Sequence, residues 1–537
     1  MSDTYSVVLC SVNNTGLAYE DLGIQSISAY LNVKNIKTTV YYYTPDNYDY
    51  ALENTQAKII GFNVYPTNYH LVNSIIKKIK NNLHDAIIIV GGQWVTLSDD
   101  IFELMPDIDF AVRGEGEITA YELFSNLLEN KNTNITLIDG ISYKSNGSVY
   151  KTANRNLIQN LDTLPWPTRV LAEKKQCQVI YIESARGCTG TCGFCSACKT
   201  KWRAKSIKYF VDEMEDIVNR YDIDVFSVTD SSFDNPHQNV KRMEEFCKEV
   251  ISRKFHPKLS LFFRSNIYRV TSDNFWDTFT KAGLCSAFVG IESFDDGDLR
   301  VFSKPASVMD NIQCVKTLRK RDFQLNIGLI YFHPYVTYQS LKINNHYLHE
   351  NELTSLMYQF NFLQILRGTD LYKKTIADGL YTDRVSNLNE WRCKDELVEK
   401  LVVHFKQNIM SNKLVMSTIY GISNYFNKFE KCLYYTKQEA VLTQDENLTD
   451  LLYEAFLQMR LISIDAGDLI YHFFDRYIDL FFEKSSNGTI DTYTNEFIQN
   501  FLSKKYDNRI KAHEMSFFMK CLKDKKYRTN TAKYIRL

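Results

Sequence analysis

No apolar run in this sequence approaches the length needed to cross a bilayer, so no membrane span is expected. Neither sign of charge is in excess: a formal net charge of −1 gives no global field that would draw nucleic acid or a lipid surface. The N-terminal stretch Met1 to Tyr5 has no basic segment leading into an apolar core. No signal peptide is therefore expected, and the cytoplasm is the expected compartment. No histidine precedes His70. The 12 cysteines do not form the dense framework of a small secreted domain; spread over 537 residues, they suit a reducing compartment and metal binding. Aromatics are abundant at 14%, while 45% hydrophobic and 24% charged residues are ordinary for a soluble globular protein. The length allows about three domains.

Four cysteines stand close together. Cys188, Cys192 and Cys195 are spaced C-x-x-x-C-x-x-C on a glycine-bearing loop that follows an apolar strand. Three thiolates at this spacing can hold three irons of a [4Fe–4S] cube and leave the fourth iron open to a ligand. Cys198 follows after two more spacers, so two alternatives stand beside the open cube: a tetrahedral zinc site and a fully ligated electron-transfer cube. Zinc sites expect two separated ligand pairs. Ferredoxin runs place the longer spacer last and usually follow it with Pro, whereas here it comes first and Lys199 follows. The spacing favours the open cluster, with Cys198 a bystander. With the aromatic Phe194 before its last cysteine, the loop resembles that of radical S-adenosylmethionine (SAM) enzymes. The resemblance implies that Cys188, Cys192 and Cys195 carry a cluster whose open iron chelates SAM, and that reduction of SAM there yields a 5′-deoxyadenosyl radical.

Residues 1–150 alternate strand and helix patterns. Strands are expected at Tyr5–Cys10, Thr38–Tyr43, Lys58–Val64, Ala86–Val90 and Phe110–Arg113, with helices at Leu22–Leu31 and Tyr69–Asn81. This pattern implies a parallel sheet covered on both faces, with ligands at the carboxyl ends of its strands. Gly91 and Gly92 sit at one such end, where missing side chains allow close approach, although alone they would mark only a tight turn. The order Gly61–Tyr65, then Val90–Gln93, then Val112–Glu117 resembles the Rossmann-like cobalamin-binding domain found ahead of many radical SAM domains. The resemblance implies cobalamin contacts at Asn63, Tyr65, Gly91, Gly92, Gly114 and Glu115. The Asp-x-His-x-x-Gly motif of cobalamin-dependent mutases is absent, and the loop after the first strand reads Asn13 to Leu17 without histidine. A histidine ligand to cobalt is therefore not expected. Ile138–Lys151 reads as a β-hairpin turning at Asn146-Gly147. Residues 151–172, with Trp166 between two prolines, read as an extended linker.

Residues 173–370 repeat strand and helix. Strands are expected at Gln178–Glu183, Val225–Thr229, Leu259–Arg264, Ala287–Glu292, Gln324–Phe332 and Met357–Leu366. This is the pattern of a partial (β/α)₆ barrel, whose active site gathers at the carboxyl strand ends. Asp230, Arg264, Asn266, Glu292 and Ser293 fall there. The family resemblance implies SAM contacts from Phe194, Asp230, Arg264, Glu292 and Ser293. His333 replaces the usual family ending of strand five and reads as a packed loop histidine rather than a proton donor.

Residues 371–537 become helical. The stripe within Asp468–Phe482 reads as core packing, and the basic last fifteen residues as a solvated tail. In relatives this region covers the barrel mouth and shapes substrate choice. The resemblance as a whole implies three cofactors, a [4Fe–4S] cluster, SAM and cobalamin, and a reductant such as flavodoxin or ferredoxin. The expected reaction is methylation of an unactivated carbon of a small-molecule or peptide substrate. Oxidation, cyclisation or ring rearrangement is the alternative within the same chemistry. A cobalamin or electron carrier, with Cys198 closing the cube, is the alternative outside it. Nucleic acid is not an expected partner.

Overall fold

The computed structural model describes residues 6–13, 20–43, 57–129, 135–236, 239–253, 255–353, 356–382, 391–443 and 447–523. Most of the loop Asn13–Leu17 and nearly all of the basic tail lie outside the described residues. The chain forms two compact units. One comprises Met1–Gly187, Lys199–Thr229 and Leu366–Gly368; the other comprises Cys188–Cys198, Asp230–Ile365 and Thr369–Leu537. Among the described residues no helix is long and apolar enough to cross a membrane.

Alternating apolar strands and amphipathic helices build the first unit. Strands β1 (Val7–Val12), β2 (Thr38–Tyr43), β3 (Ile59–Asn63), β4 (Ile87–Gly91) and β5 (Phe110–Val112) run parallel in the order β2-β1-β3-β4-β5. Successive side chains of a strand point to opposite faces. Val8, Cys10 and Val12 therefore pack on one face, and Val7 and Leu9 on the other. Helix α1 (Leu22–Val33) covers the second face with Ile24 and Leu31, and α2 (Tyr69–Asn82) covers the first with Val72, Ile75, Ile76 and Ile79. After the short α3 (Gln93–Leu97), α4 (Gly116–Leu128) returns to the second face with Ala120, Leu123 and Phe124. Each such Val, Ile, Leu or Phe side chain contributes about 1.5–3 kcal/mol when fully buried. The expected hairpin, β6 (Ile141–Ser145) and β7 (Ser148–Lys151), turns at Asn146 and Gly147, both at positive φ. It extends the sheet by antiparallel pairing of β6 with β5.

Also in this unit, β8 (Ile180–Ile182) pairs in parallel with β11 (Val225–Val228), and β9 (Ala185–Arg186) pairs antiparallel with β10 (Arg203–Ala204). Between β10 and β11 runs α5 (Ile207–Tyr221). Trp166 packs on Tyr209 of α5 with ring centroids 5.7 Å apart. Arg169 is buried between Glu20 (3.3 Å) and Glu213 (2.9 Å), and Lys205 also reaches Glu213 at 2.9 Å.

In the second unit, β12 (Lys258–Arg264), β13 (Leu284–Glu292) and β14 (Gln324–Leu329) are parallel neighbours. Their helices are α6 (Val240–Arg253), α7 (Asp273–Lys281), α8 (Asp296–Val301), α9 (Val308–Leu318) and α10 (Tyr338–Glu350). Capping boxes at Ser307 with Asp310 and at Thr337 with Ser340 start α9 and α10. Five of the six expected strands form. The sixth, Met357–Leu366, does not: Tyr358–Phe360 is a 3₁₀ turn, and only Phe362 bridges, to Phe332. The pairing is confined to that one parallel bridge: Asn361 O accepts from the amides of Tyr331 and Phe332, and Leu363 N donates to Phe332 O at 2.8 Å. The Asn361 side chain donates to Leu329 O at 3.2 Å.

The C-terminal part is helical, with α11 (Asp370–Ala377), α12 (Glu396–Phe405), α13 (Lys413–Thr443), α14 (Asn447–Phe482), α15 (Asn487–Ser503) and α16 (Tyr506–Lys523). The expected stripe is core: Ile470, Phe473, Phe474, Tyr477, Ile478 and Phe481 of α14 are buried. Helix α13 departs from expectation. It packs at the amino-terminal ends of β13 and β14, opposite the ligand-binding ends, where Gln324 donates to Glu430 Oε2 (2.9 Å) and to Asn427 O (3.4 Å). Burial pushes the Glu430 carboxyl up to about 7.

Candidate active site

A cleft of about 500 Å³ lies at the carboxyl ends of β3, β4 and β5 in the first unit. All six residues expected to contact cobalamin line it: Asn63, Tyr65, Gly91, Gly92, Gly114 and Glu115. Leu9, Gly61 and Ile89 from the sheet, with Ile27 of α1 and Ala120 of α4, give it an apolar wall. Gly92 has φ +110°, and a Cβ there would overlap Asn63 Oδ1, so only glycine fits without displacement. Asn63 donates through Nδ2 to Asp21 Oδ2 (2.7 Å) and to the Tyr65 hydroxyl (2.8 Å). Asp21 also accepts from the Ile24 amide at the start of α1. Burial pushes the Asp21 carboxyl up despite these donors. The buried Asn63 Oδ1 has no hydrogen-bond partner among the described residues. Glycines beside an apolar wall, with a fixed polar cluster at one end, fit a large, partly apolar ligand such as cobalamin.

Charge gathers at one border of the cleft. Arg186 reaches Glu115 (3.1 Å), Glu117 (2.7 Å) and Glu183 (2.8 Å), and Arg203 reaches Glu115 at 2.9 Å. Burial would raise the Glu117 carboxyl, but the Arg186 guanidinium outweighs it and holds Glu117 below the usual carboxylate range.

The second unit carries the cysteine loop. Cys188 Sγ accepts from the Gly190 amide (3.2 Å), and Asn235 Nδ2 (3.7 Å) and Arg264 Nη2 (3.9 Å) also point to it. Arg264 also donates to Thr189 Oγ1 at 2.9 Å and to Asn235 Oδ1, while Asn235 accepts from Thr189 Oγ1 at 2.8 Å. Donors aimed at a sulfur suit a thiolate. Burial pushes the Cys192 thiol up to about 11 and raises that of Cys195, so iron must displace their protons. Cys198 instead donates to the carbonyls of Cys192 (3.3 Å) and Cys195 (3.0 Å), as a protonated bystander would. Among the described residues no three His, Cys, Asp or Glu side chains could hold one metal ion. The donor set fits a [4Fe–4S] cluster with one open iron.

The other expected residues divide. Phe194 packs edge-on against Phe302 at 5.6 Å. Glu292 ends β13 at φ +68° and pairs with Lys304 Nζ at 3.0 Å. Asp230 is buried just after β11. The Ser293 hydroxyl is fully buried and donates to Asp298 Oδ2 (2.7 Å), so it is turned into the core. His333 is equally buried and paired with Asp298 at 3.0 Å, which makes it a packed histidine.

Residues 9–124 match the B12 binding domain, and residues 182–343 match the radical SAM superfamily. The chain carries a B12 binding domain followed by a radical SAM superfamily domain. Among similar proteins, the anaerobic magnesium-protoporphyrin IX monomethyl ester cyclase of Cereibacter sphaeroides is 27% identical over 299 residues, 52% of this chain and 47% of the cyclase. The hopanoid C-3 methylase of Methylococcus capsulatus is 24% identical over 289 residues, 52% of this chain and 54% of the methylase. The chain thus spans about half the length of these relatives. The fold is like that of the cobalamin-dependent SAM radical enzyme OxsB with aqua-cobalamin and SAM bound. The TM-score is 0.70 at 17% identity, covering 96% of this chain and 84% of OxsB.

Sequence reasoning missed several groups of this radical SAM chain: Asp21, Glu117 and Arg186 at the cleft, and Asn235 and Lys304 beside the cysteine loop. Arg186 lies two residues before Cys188 and Glu117 closes the recognised segment Val112–Glu117, which was the one available signal. Their pairing across 69 residues has no local signature.

Proposed function

We propose that this chain is a radical SAM enzyme that uses cobalamin to methylate an unactivated carbon of a small-molecule or peptide natural product. The observation that carries the reading is the presence, on one chain, of a glycine-lined cleft at the ends of β3–β5 and a three-thiol loop with donors aimed at Cys188. When bound, the cluster supplies the electron that cleaves SAM, and cobalamin supplies the methyl group. Cys188, Cys192 and Cys195 hold the cluster. Phe194, Asp230, Arg264 and Glu292 contact SAM. Asn63, Tyr65, Gly91, Gly92, Gly114 and Glu115 hold cobalamin. The domains run 1–150, 173–370 and 371–537, joined by a linker at 151–172, and parts of the last domain shape the substrate. A flavodoxin or ferredoxin supplies electrons in the cytoplasm, and nucleic acid is not a partner.

The methylase relative supports methyl transfer. The cyclase relative favours a second reading, in which the same cofactors oxidise, cyclise or rearrange a substrate without methylating it. Product mass separates the two: a gain of one CH₂ against no gain or a loss of hydrogen. A carrier without radical chemistry requires Cys198 to close the cube. Cys198→Ala with full iron content and undiminished SAM cleavage removes that option.

The test is anaerobic reconstitution with iron, sulfide and hydroxocobalamin, followed by mass analysis after addition of SAM and a strong reductant. The expected result is 5′-deoxyadenosine with stoichiometric retained cobalamin. 5′-Deoxyadenosine without retained cobalamin overturns the cobalamin-dependent mechanism. A complete cube that leaves SAM intact overturns the enzyme reading.

A further inference from the structure

Lys304 lies outside every recognised motif, yet it pairs with Glu292 and follows a turn tied to the cysteine loop. It follows α8 after a turn at Phe302 and Ser303. Gly193, next to Cys192, donates its amide to Phe302 O at 2.7 Å and fixes that turn against the cysteine loop. The Lys304 side chain is 8% exposed, and its Nζ is 3.0 Å from Glu292 Oε1. Both groups lie over the backbone of Gly290. A Cβ there would stand 2.6 Å from Glu292 Oε1 and 3.0 Å from Lys304 Nζ. On the neighbouring strand a Cβ at Gly328 would meet the Phe288 ring at 3.0 Å and stand at an ordinary contact distance, 3.7 Å, from Glu292 Oε2. Glu292 itself sits at φ +68°, a conformation that a non-glycine residue keeps only when its surroundings enforce it. A buried ammonium persists where anions balance it. Glu292 is one such anion, and Cys192, next to the Gly193 that anchors the turn preceding Lys304, becomes another once it is a thiolate.

We propose that Lys304 is a positioning residue of the cluster site: its ammonium holds Glu292 over the Gly290 backbone and sets the charge beside the cysteine loop. This rests on the radical SAM reading above. Reduction adds an electron to the cluster, so a cation near one of its thiolates favours the reduced state, and the Glu292 carboxylate opposes it.

The test is a redox titration of the anaerobically reconstituted holoprotein, with the reduced cluster followed by electron paramagnetic resonance, first without SAM and then against increasing SAM. Lys304→Met is expected to move the midpoint to a more negative potential and to raise the SAM concentration needed to perturb the spectrum by about tenfold. Lys304→Arg is expected to restore both. Glu292→Gln is expected to move the midpoint in the positive direction. A Lys304→Met protein with a full cube, unchanged midpoint and unchanged SAM dependence overturns the proposal. So does a Glu292→Gln midpoint that is unmoved or more negative, which decides the matter even if Lys304→Met loads no iron. Wild-type protein that assembles no cube, or leaves SAM uncleaved, overturns the radical SAM reading instead.

Discussion

At the cleft of the first unit, glycines at 61, 91, 92, 114 and 116 clear space beside an apolar sheet face. At the cysteine loop of the second unit, nearly every neighbouring group is a donor, an acceptor or a charge: the Gly190 amide, Asn235 and Arg264 around Cys188, and Lys304 with Glu292. The first arrangement suits a large preformed ligand that needs room and shape. The second suits a small, highly charged group assembled on the protein, which needs its charge compensated. The difference teaches that the two sites should fail differently: one by filling space, the other by removing a ligand or a charge.

The largest expected effect is on the cluster. Cys188→Ala should abolish the [4Fe–4S] absorbance and SAM cleavage while cobalamin retention, measured by absorbance after gel filtration, stays near wild type. Loss of both cofactors together would break the comparison. Next, Arg186→Met leaves the buried Glu117 carboxylate without its cation, and Glu183 too, while Glu115 keeps Arg203; it should cost about 3–5 kcal/mol in chemical denaturation at neutral pH. Its pH dependence has a definite sign. Glu117 is held below the usual carboxylate range when folded, so its contribution is present above that range and is lost as pH falls through the depressed value. In Arg186→Met that acid-side loss should disappear, and the stability gap to wild type should narrow on acidification.

Gly92→Val should fill the strand end against Asn63 and force a side chain into φ +110°. A destabilisation of about 1–3 kcal/mol is expected, with cobalamin retention lost and iron content unchanged. The smallest effect is at the floor of the second unit. Glu430 titrates at about 7 in the fold, so its favourable contribution is full below the ordinary carboxylate range and is lost as pH rises toward and through that value. Glu430→Gln keeps the hydrogen bond to Gln324 but cannot ionise. Melting curves should show the variant more stable than wild type at pH 8, by on the order of 1 kcal/mol or more, and close to it at pH 5.

The two sites were also unequally legible. Cys188, Cys192 and Cys195 announce themselves because metal ligation sets a tight local spacing. Gly91 and Gly92 could be read because a parallel sheet binds at its strand ends, and both indeed line the cleft. The hairpin at Asn146-Gly147 was legible for the same local reason, but its joining the main sheet through Phe110 and Tyr143 was not. The expected strand over Met357–Leu366 shrinks to one bridge at Phe362 because Tyr358–Phe360 is wound into a 3₁₀ turn, which apolar patterning does not register. Ser293 and His333 fall at the right strand ends, yet Asp298 holds both in the core. Lys304 and Asn235 reach their partners only through the folded chain, so no window around them could reveal it.

The placement of α13 bears on synthesis as well as on stability. By the time residue 350 leaves the ribosome, β12, β13 and β14 are complete, but Gln324 still lacks Asn427 and Glu430, which are made about a hundred residues later. Until then the amino-terminal edge of those strands is open to water and to other nascent chains. A fragment cut near residue 370 would carry that open edge permanently. It should collect in inclusion bodies even though it contains both cofactor-binding motifs.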